Sequence, residues 1–286
     1  MIIRKKNTIK SAICCLTKPY LKTDLIDFIY HYQIYCGFDA IYLYINDSKT
    51  DYYEKLHNIN VYIEYIDDAQ LKKENKFQQQ LYTNFMKQYS QKYDYIFFVD
   101  DDEFLWINKQ KYKNINDFLS ICQEKNILSY GIPWKYISYK TDYHPYTRTD
   151  HFIKNCFYTL DDITGTCIKS IVSTKIFEQD PNTYSCCHYW KNIKTWLDFK
   201  HYIINTHYLS DIKFINENHD LILYHYMVRT IEEWNMKLAR VSPTQTTLTM
   251  KDEMLTYMFN KDSITNQVFK NYNKYINPFG YNHDNK

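Results

Sequence analysis

The sequence predicts an α/β protein built on a doubly wound, mostly parallel sheet with helices on both faces. Three observations carry this. Short runs of β-branched and aromatic residues alternate, through the first half of the chain, with segments whose apolar residues recur at helical spacing. The first two strand-like runs are joined by an amphipathic stretch long enough to be a crossover helix, which makes them parallel. The run Tyr95-Ile96-Phe97-Phe98-Val99 is short and apolar throughout, as a buried strand should be.

In chain order, Ile9 to Leu16 reads as the first strand and ends at Thr17-Lys18-Pro19-Tyr20. Leu21 to Tyr35 places Leu25, Phe28, Ile29 and Tyr32 on one helical face, with Thr23 or Asp24 as a cap and Gly37 as the stop. Asp39 to Ile45 is a second strand, halted by Asn46-Asp47-Ser48, and Val61 to Ile66 is a third. Lys72 to Gln91 is helical and leads into the apolar run. Beyond Trp106 come a helix around Asn116 to Lys125, a strand near Leu128 to Pro133, and strands over Asp150 to Tyr158 and Cys167 to Ser173. Asp220 to Tyr226 is apolar and precedes an amphipathic helix from Ile231 to Arg240. Residues 1–240 form the main domain. Residues 241–286 form a C-terminal appendage, with a polar linker at Ser242 to Thr249 and a helix over Asp252 to Phe259.

Composition excludes several classes. At 286 residues the chain can bury a sizeable core, and four glycines and six prolines rule out a fibrous or disordered protein. A net charge of +2 offers no basic stripe for nucleic acid. Eight cysteines include the adjacent pairs Cys14-Cys15 and Cys186-Cys187 and form no disulfide framework; they read as buried thiols of a reducing compartment. The first residues are basic but carry no apolar signal core, and no stretch is apolar over the length of a bilayer. The expectation is a soluble, cytoplasmic protein. The abundance of Tyr, Asn, Ile and Lys fits an AT-rich coding sequence, such as that of a large DNA virus or a bacterium.

Function is written most densely just after the apolar run. Asp100, Asp101, Asp102 and Glu103 follow Val99 without a break, and Phe104-Leu105-Trp106 turns apolar again. Carboxylates crowded at the end of a buried strand repel one another, so a positive charge is expected there. Asp100 and Asp102 point the same way from an extended segment and suit a hard cation, Mg²⁺ or Mn²⁺, with phosphate oxygens completing its shell. Carboxyl ends of strands are also where ligands bind in open α/β sheets. A charged turn after a core strand is the plain alternative. Others are a metal-dependent phosphoryl-transfer enzyme or nuclease using Asp100, Asp102 and Glu103, and a non-catalytic binding protein of the same fold. If the chemistry takes a proton from an acceptor hydroxyl, Asp161, Asp162 and Glu178 are the candidates for the base.

Taken in order, five stretches resemble the family 92 glycosyltransferases and their relatives with a GT-A (Rossmann-like) fold. They are Tyr30 to Ser48; YIFFVDDDEFLW; Ile168-Lys169-Ser170-Ile171-Val172; His188 in SCCHYW; and Tyr224-His225-Tyr226 followed by Ile231 to Trp234 and Lys237. The resemblance spans about Ile9 to Arg240. It implies a metal-dependent transferase that moves a hexose from a nucleoside diphosphate sugar, by default a uridine diphosphate sugar, to a hydroxyl of a glycan or other acceptor. It further implies Asp100, Asp102 and His188 as metal ligands, and Thr17, Asp47, Asp101, Lys169, His225 and Lys237 around the nucleotide and its diphosphate.

Overall fold

The computed structural model describes residues 8–19, 22–47, 60–73, 76–138, 158–159, 167–203, 220–226 and 236. Four parallel strands make its first half: β1 (Ser11–Thr17), β2 (Ala40–Ile45), β3 (Val61–Tyr65) and β4 (Tyr95–Phe98), in the order β3-β2-β1-β4. Both faces of β1 and β2 are covered, so every residue of these strands is buried. That explains the unbroken apolar runs in the sequence. β1 leads through α1 (Lys22–Tyr30) to β2 on one side, while β4 reaches the other side of β1 from β3 by way of α2 (Asp68–Lys73) and α3 (Phe77–Tyr89). The winding therefore reverses between β1 and β4, the kind of switch point beside which open α/β sheets bind ligands at the strands' carboxyl ends.

The core has two layers, one on each face of the sheet. Ile13, Cys15, Ile41, Leu43 and Phe97 pack with Leu25, Phe28 and Tyr32 and with Ile115, Phe118 and Leu119 of α4 (Ile115–Glu124). Ala12, Cys14, Tyr42, Tyr44, Ile96 and Phe98 pack with Tyr82, Phe85 and Met86 of α3. Alternate residues of each strand thus feed opposite layers. The chain is α/β with helices on both faces, as expected.

The second half departs from the parallel expectation. β6 (Ser129–Ser138), β8 (Ile168–Ser173), β9 (Thr195–Trp196) and β10 (Tyr202–Ile203) extend the sheet, with β8 antiparallel to both β4 and β6. β7 (Tyr158–Thr159) pairs with β6, and β11 (Leu221–His225) lies between β6 and β5 (Glu103–Ile107), parallel to the first and antiparallel to the second. The sheet is therefore mixed. The expected strand over Asp150 to Tyr158 falls outside the described residues except for Tyr158, as do the helix at 231–240 except Met236, which is helical, and the whole appendage at 241–286. Among the described residues no helix is long and apolar enough to cross a membrane.

Two helices differ from the periodicity reading. The expected Lys72 to Gln91 helix is divided, because Lys76 adopts φ 65° at the start of α3 and a right-handed helix cannot pass through that conformation. α2 has its own start in a reciprocal cap: the Gln70 amide donates to Asp67 Oδ1 at 2.7 Å, and Gln70 Oε1 accepts from the Asp67 amide at 2.9 Å. The end of the first helix widens into a π-helical turn, His31–Cys36, stopped by Gly37 at φ 80°. A Cβ at Gly37 would stand 2.9 Å from Asn114 Cβ, so both the dihedral and the space call for glycine.

The widened turn secures β5. That strand pairs only with β11 among the described strands, and side chains of the turn satisfy carbonyls along its other edge. Tyr32 OH donates to the Glu103 carbonyl oxygen at 3.0 Å, and His31 Nε2 meets the Leu105 carbonyl oxygen at 2.9 Å. His31 is wholly buried, and burial lowers its pKa from 6.5 to about 3. The folded state therefore keeps the ring neutral where the unfolded chain would take up a proton. Stability should fall as pH drops below about 6.5, by up to about 1.4 kcal/mol per pH unit for this one group. Denaturant titrations between pH 7.5 and 5 should show a steeper loss in the wild type than in His31→Gln. Equal slopes would remove His31 as the cause.

Candidate functional site

After Phe98 the chain reverses through Asp100 to Glu103 and enters β5. The Glu103 amide donates to the Asp100 carbonyl oxygen at 3.1 Å, and the Asp100 amide donates to Glu103 Oε2 at 2.9 Å. Backbone and side chain close the turn from opposite directions. The result is a tight acidic loop whose repulsion must be met by groups from elsewhere.

Three elements supply them. Continuing the β4–β8 register past Phe97↔Ile171 sets Lys169 across from Val99. From there Lys169 Nζ reaches Asp100 Oδ2 at 2.7 Å and lies 3.5 Å from Glu103 Oε2. The Lys169 side chain is 1% exposed and that of Glu103 0%, whereas Asp100 keeps 32% of its surface. From α3, Gln78 Nε2 donates to Asp100 Oδ1 at 3.1 Å and to Tyr82 OH at 3.0 Å. From β11 comes His225, opposite Glu103 in register, with its Nε2 3.4 Å from Asp102 Oδ1. The next residue, Tyr226, donates its amide to the Asp102 carbonyl oxygen at 2.8 Å.

Burial works against the Lys169 ammonium, but Asp100 and Glu103 outweigh it and hold the amine charged, above the ordinary lysine range. Burial pushes the Glu103 carboxyl well up, with Lys169 pulling the other way. Glu103 Oε1 has no hydrogen-bond partner. The Cys187 thiol, within the field of Lys169 and Asp100, is pushed up to about 12 by burial and is not a thiolate at neutral pH.

Trp134 of β6 forms one wall. Its ring centre is 4.4 Å from that of His225 and 5.2 Å from that of His188, and Lys169 Nζ lies 6.0 Å from it. His188 Nδ1 is 3.1 Å from the Ile168 carbonyl oxygen, and the His188 carbonyl accepts from Ser170 Oγ at 2.9 Å. These bonds tie the loop carrying Cys187, at φ 67°, to β8.

Of the residues singled out in the sequence, Asp100, Asp102, Lys169 and His225 are joined by direct contacts, and His188 joins them through Trp134. Thr17 and Asp47 stand at the carboxyl ends of β1 and β2, on the same edge of the sheet as the turn. Thr17 is buried and its Oγ1 has no hydrogen-bond partner, whereas Asp47 is exposed. Asp101 lies close enough to Cys15 at the sheet end to raise that thiol's pKa. Glu178 is not brought here. It lines a cavity of about 940 Å³ at the amino ends of β1 and β4, with Thr8, Lys10, Tyr93, Asp94 and Lys175. Asp161, Asp162 and Lys237 lie outside the described residues. That cavity is roomy, but the converging charged groups are at the other end of the strands, which is the better criterion for a chemical site.

Among the described residues no group of three or more His, Cys, Asp or Glu side chains is arranged to hold a metal ion. At the turn itself a carboxylate and an imidazole, Asp102 and His225, stand 3.4 Å apart. Sequence reading missed Gln78 and Trp134. The signal for Gln78 was a polar residue on the inward face of an amphipathic helix, and nothing in the sequence marked Trp134. Compared with family models and with curated proteins, the chain matches none.

The turn makes Glu103 a structural acid, with one oxygen on the Asp100 amide and the Lys169 charge close by. Glu103→Ala removes both and should cost about 3 kcal/mol in urea unfolding, while Glu103→Gln, which can still accept from the amide, should cost roughly half as much. Equal losses in the two variants would show that packing, not the carboxylate, matters.

Proposed function

We propose that the chain is a metal-assisted glycosyltransferase of GT-A type, taking a hexose from a nucleoside diphosphate sugar and giving it to a hydroxyl of a glycan or related acceptor. The observation that carries this reading is the acidic turn at the carboxyl end of β4, beside the winding reversal, with Lys169 and His225 converging on it. Three of the stretches similar to the family 92 transferases contribute to it, through Asp100 to Glu103, Lys169 and His225, and His188 stands beside His225 across Trp134.

A divalent ion fits the residues present. Asp102 offers a carboxylate oxygen suited to Mn²⁺ or Mg²⁺, and His225 an imidazole 3.4 Å away that Mn²⁺ takes more readily than Mg²⁺. Such ions take one or two protein carboxylates and draw the remaining ligands from phosphate and water, so a closed protein cage is not required. Bound there, the ion would neutralise charge on the departing diphosphate. Lys169 contributes a fixed positive charge behind Asp100, and Thr17 offers a buried hydroxyl at the end of β1. Transfer breaks the bond from the sugar carbon to the diphosphate, forms one to the acceptor oxygen, and releases the acceptor's proton. Glu178 is at the wrong end of the sheet to take that proton, which leaves Asp161 and Asp162 as the carboxylates to test.

The decisive measurement is thermal unfolding of the full chain with UDP-glucose, UDP-galactose and GDP-mannose, each with and without MnCl₂. The reading expects a nucleotide-specific rise that needs the metal, equivalent to about 2.7 kcal/mol when ligand is at a hundred times Kd, and its loss in Asp102→Asn. The absence of any nucleotide-dependent rise would sink the reading.

A further inference from the structure

A lysine inside a strand whose every residue is buried needs a reason. Lys169 lies in β8, where all six residues are buried, and its ammonium is 2.7 Å from Asp100 Oδ2 and 3.5 Å from Glu103 Oε2. The other oxygen of Asp100 receives Gln78 at 3.1 Å. Both oxygens of that carboxylate are therefore already engaged by the protein. We propose that Lys169 is a positioning residue, a cation built into the chain that fills the Asp100–Glu103 side of the acidic turn and keeps a free metal ion out of it.

Charge and space support this. The turn carries four acids in succession, Asp100 to Glu103, and among the described residues Lys169 is the cation in contact with two of them. Methionine in its place would keep most of the volume but remove the charge, leaving two carboxylates close together with a cation-sized gap between them. A free ion would then compete for the gap. With lysine in place, an ion entering there meets a like charge at contact distance. Lys169 thus sets how many cations the turn accepts and from which side. The prediction about the lysine stands whether or not the chain uses nucleotide sugars.

The test uses the full chain without nucleotide, and Mn²⁺ alone as the probe. Free Mn²⁺ is followed by electron paramagnetic resonance in the wild type, Lys169→Met, Lys169→Arg and Lys169→Met/Asp100→Asn. Lys169→Met should bind Mn²⁺ at least about tenfold more tightly than the wild type, Lys169→Arg should not, and the double variant should lose the gain. Without metal, Lys169→Met should also melt about 10 °C lower, with Mn²⁺ restoring part of the loss. A merely structural lysine would lower the melting point without the gain in Mn²⁺ affinity, and that result overturns the proposal. If Lys169→Met yields no soluble protein, its recovery on refolding in MnCl₂ but not in NaCl of equal ionic strength supports the proposal, and failure to recover any in MnCl₂ overturns it. Should the wild type bind no nucleotide sugar while Lys169→Met still gains Mn²⁺, the transferase reading falls and the positioning role remains.

Discussion

Four successive carboxylates at the end of a buried strand can be held there only if positive charge and donors arrive from distant parts of the chain. Here they arrive from β8 as Lys169, from α3 as Gln78 and from β11 as His225, which lie 69, 22 and 123 residues from their acidic partners. The turn therefore ties the parallel and antiparallel halves of the sheet together. Its own hydrogen bonds close the loop, but they add no positive side chain. Long-range pairing is what makes the local sequence tolerable, and it explains why β8 runs antiparallel next to β4. That direction sets a residue near the start of β8 beside the end of β4, where the acids begin.

The same logic extends to the strand that leaves the turn. β5 has β11 on one edge and needs acceptors satisfied on the other, and the π-helical turn after α1 provides Tyr32, His31 and Cys36 for that purpose. An ordinary α-helical continuation would rotate successive side chains by about 100° each, while the wider turn brings His31, Tyr32 and Cys36 to the buried side together. The widened helix is thus a support for the site, one layer removed. Its components are neutral: burial holds the Cys36 thiol up and the His31 ring down to about 3, so neither adds charge behind the acids.

Much of the parallel half was legible because each element carries its own signal. β1, β2 and β4 are unbroken apolar runs at their centres, and Gly37 sits where a left-handed residue is required, whereas the Asn114 cap of α4, on the Asp117 amide at 3.1 Å, starts that helix before the expected Asn116. The break at Lys76 was not legible, since lysine has no preference for a positive φ and Lys72 to Lys76 carries no Gly or Pro to mark a stop. Strand direction in the second half was equally hidden. Nothing in Ile168-Lys169-Ser170-Ile171-Val172 says whether it lies parallel or antiparallel to β4, because both faces are buried either way. For the site, proximity to the strand end found the acids, while Lys169 and His225 carry no local signal for their place beside them. The roles of Gln78 and Trp134 depend on distances between elements that no local pattern encodes.

Lys169 also shows how a demand read from sequence can be right while its expected supplier is incomplete. Crowded carboxylates require positive charge, and a metal ion is the first supplier that comes to mind. A buried ammonium at 2.7 Å meets part of that demand without leaving the chain. It does so on the Asp100 and Glu103 side, whereas Asp102 turns toward His225. One acidic stretch is thereby divided into an inward half, whose charge is balanced within the fold, and a half held against an imidazole. The inward half is held together by contacts within the fold, from β8, from α3 and from the turn's own backbone.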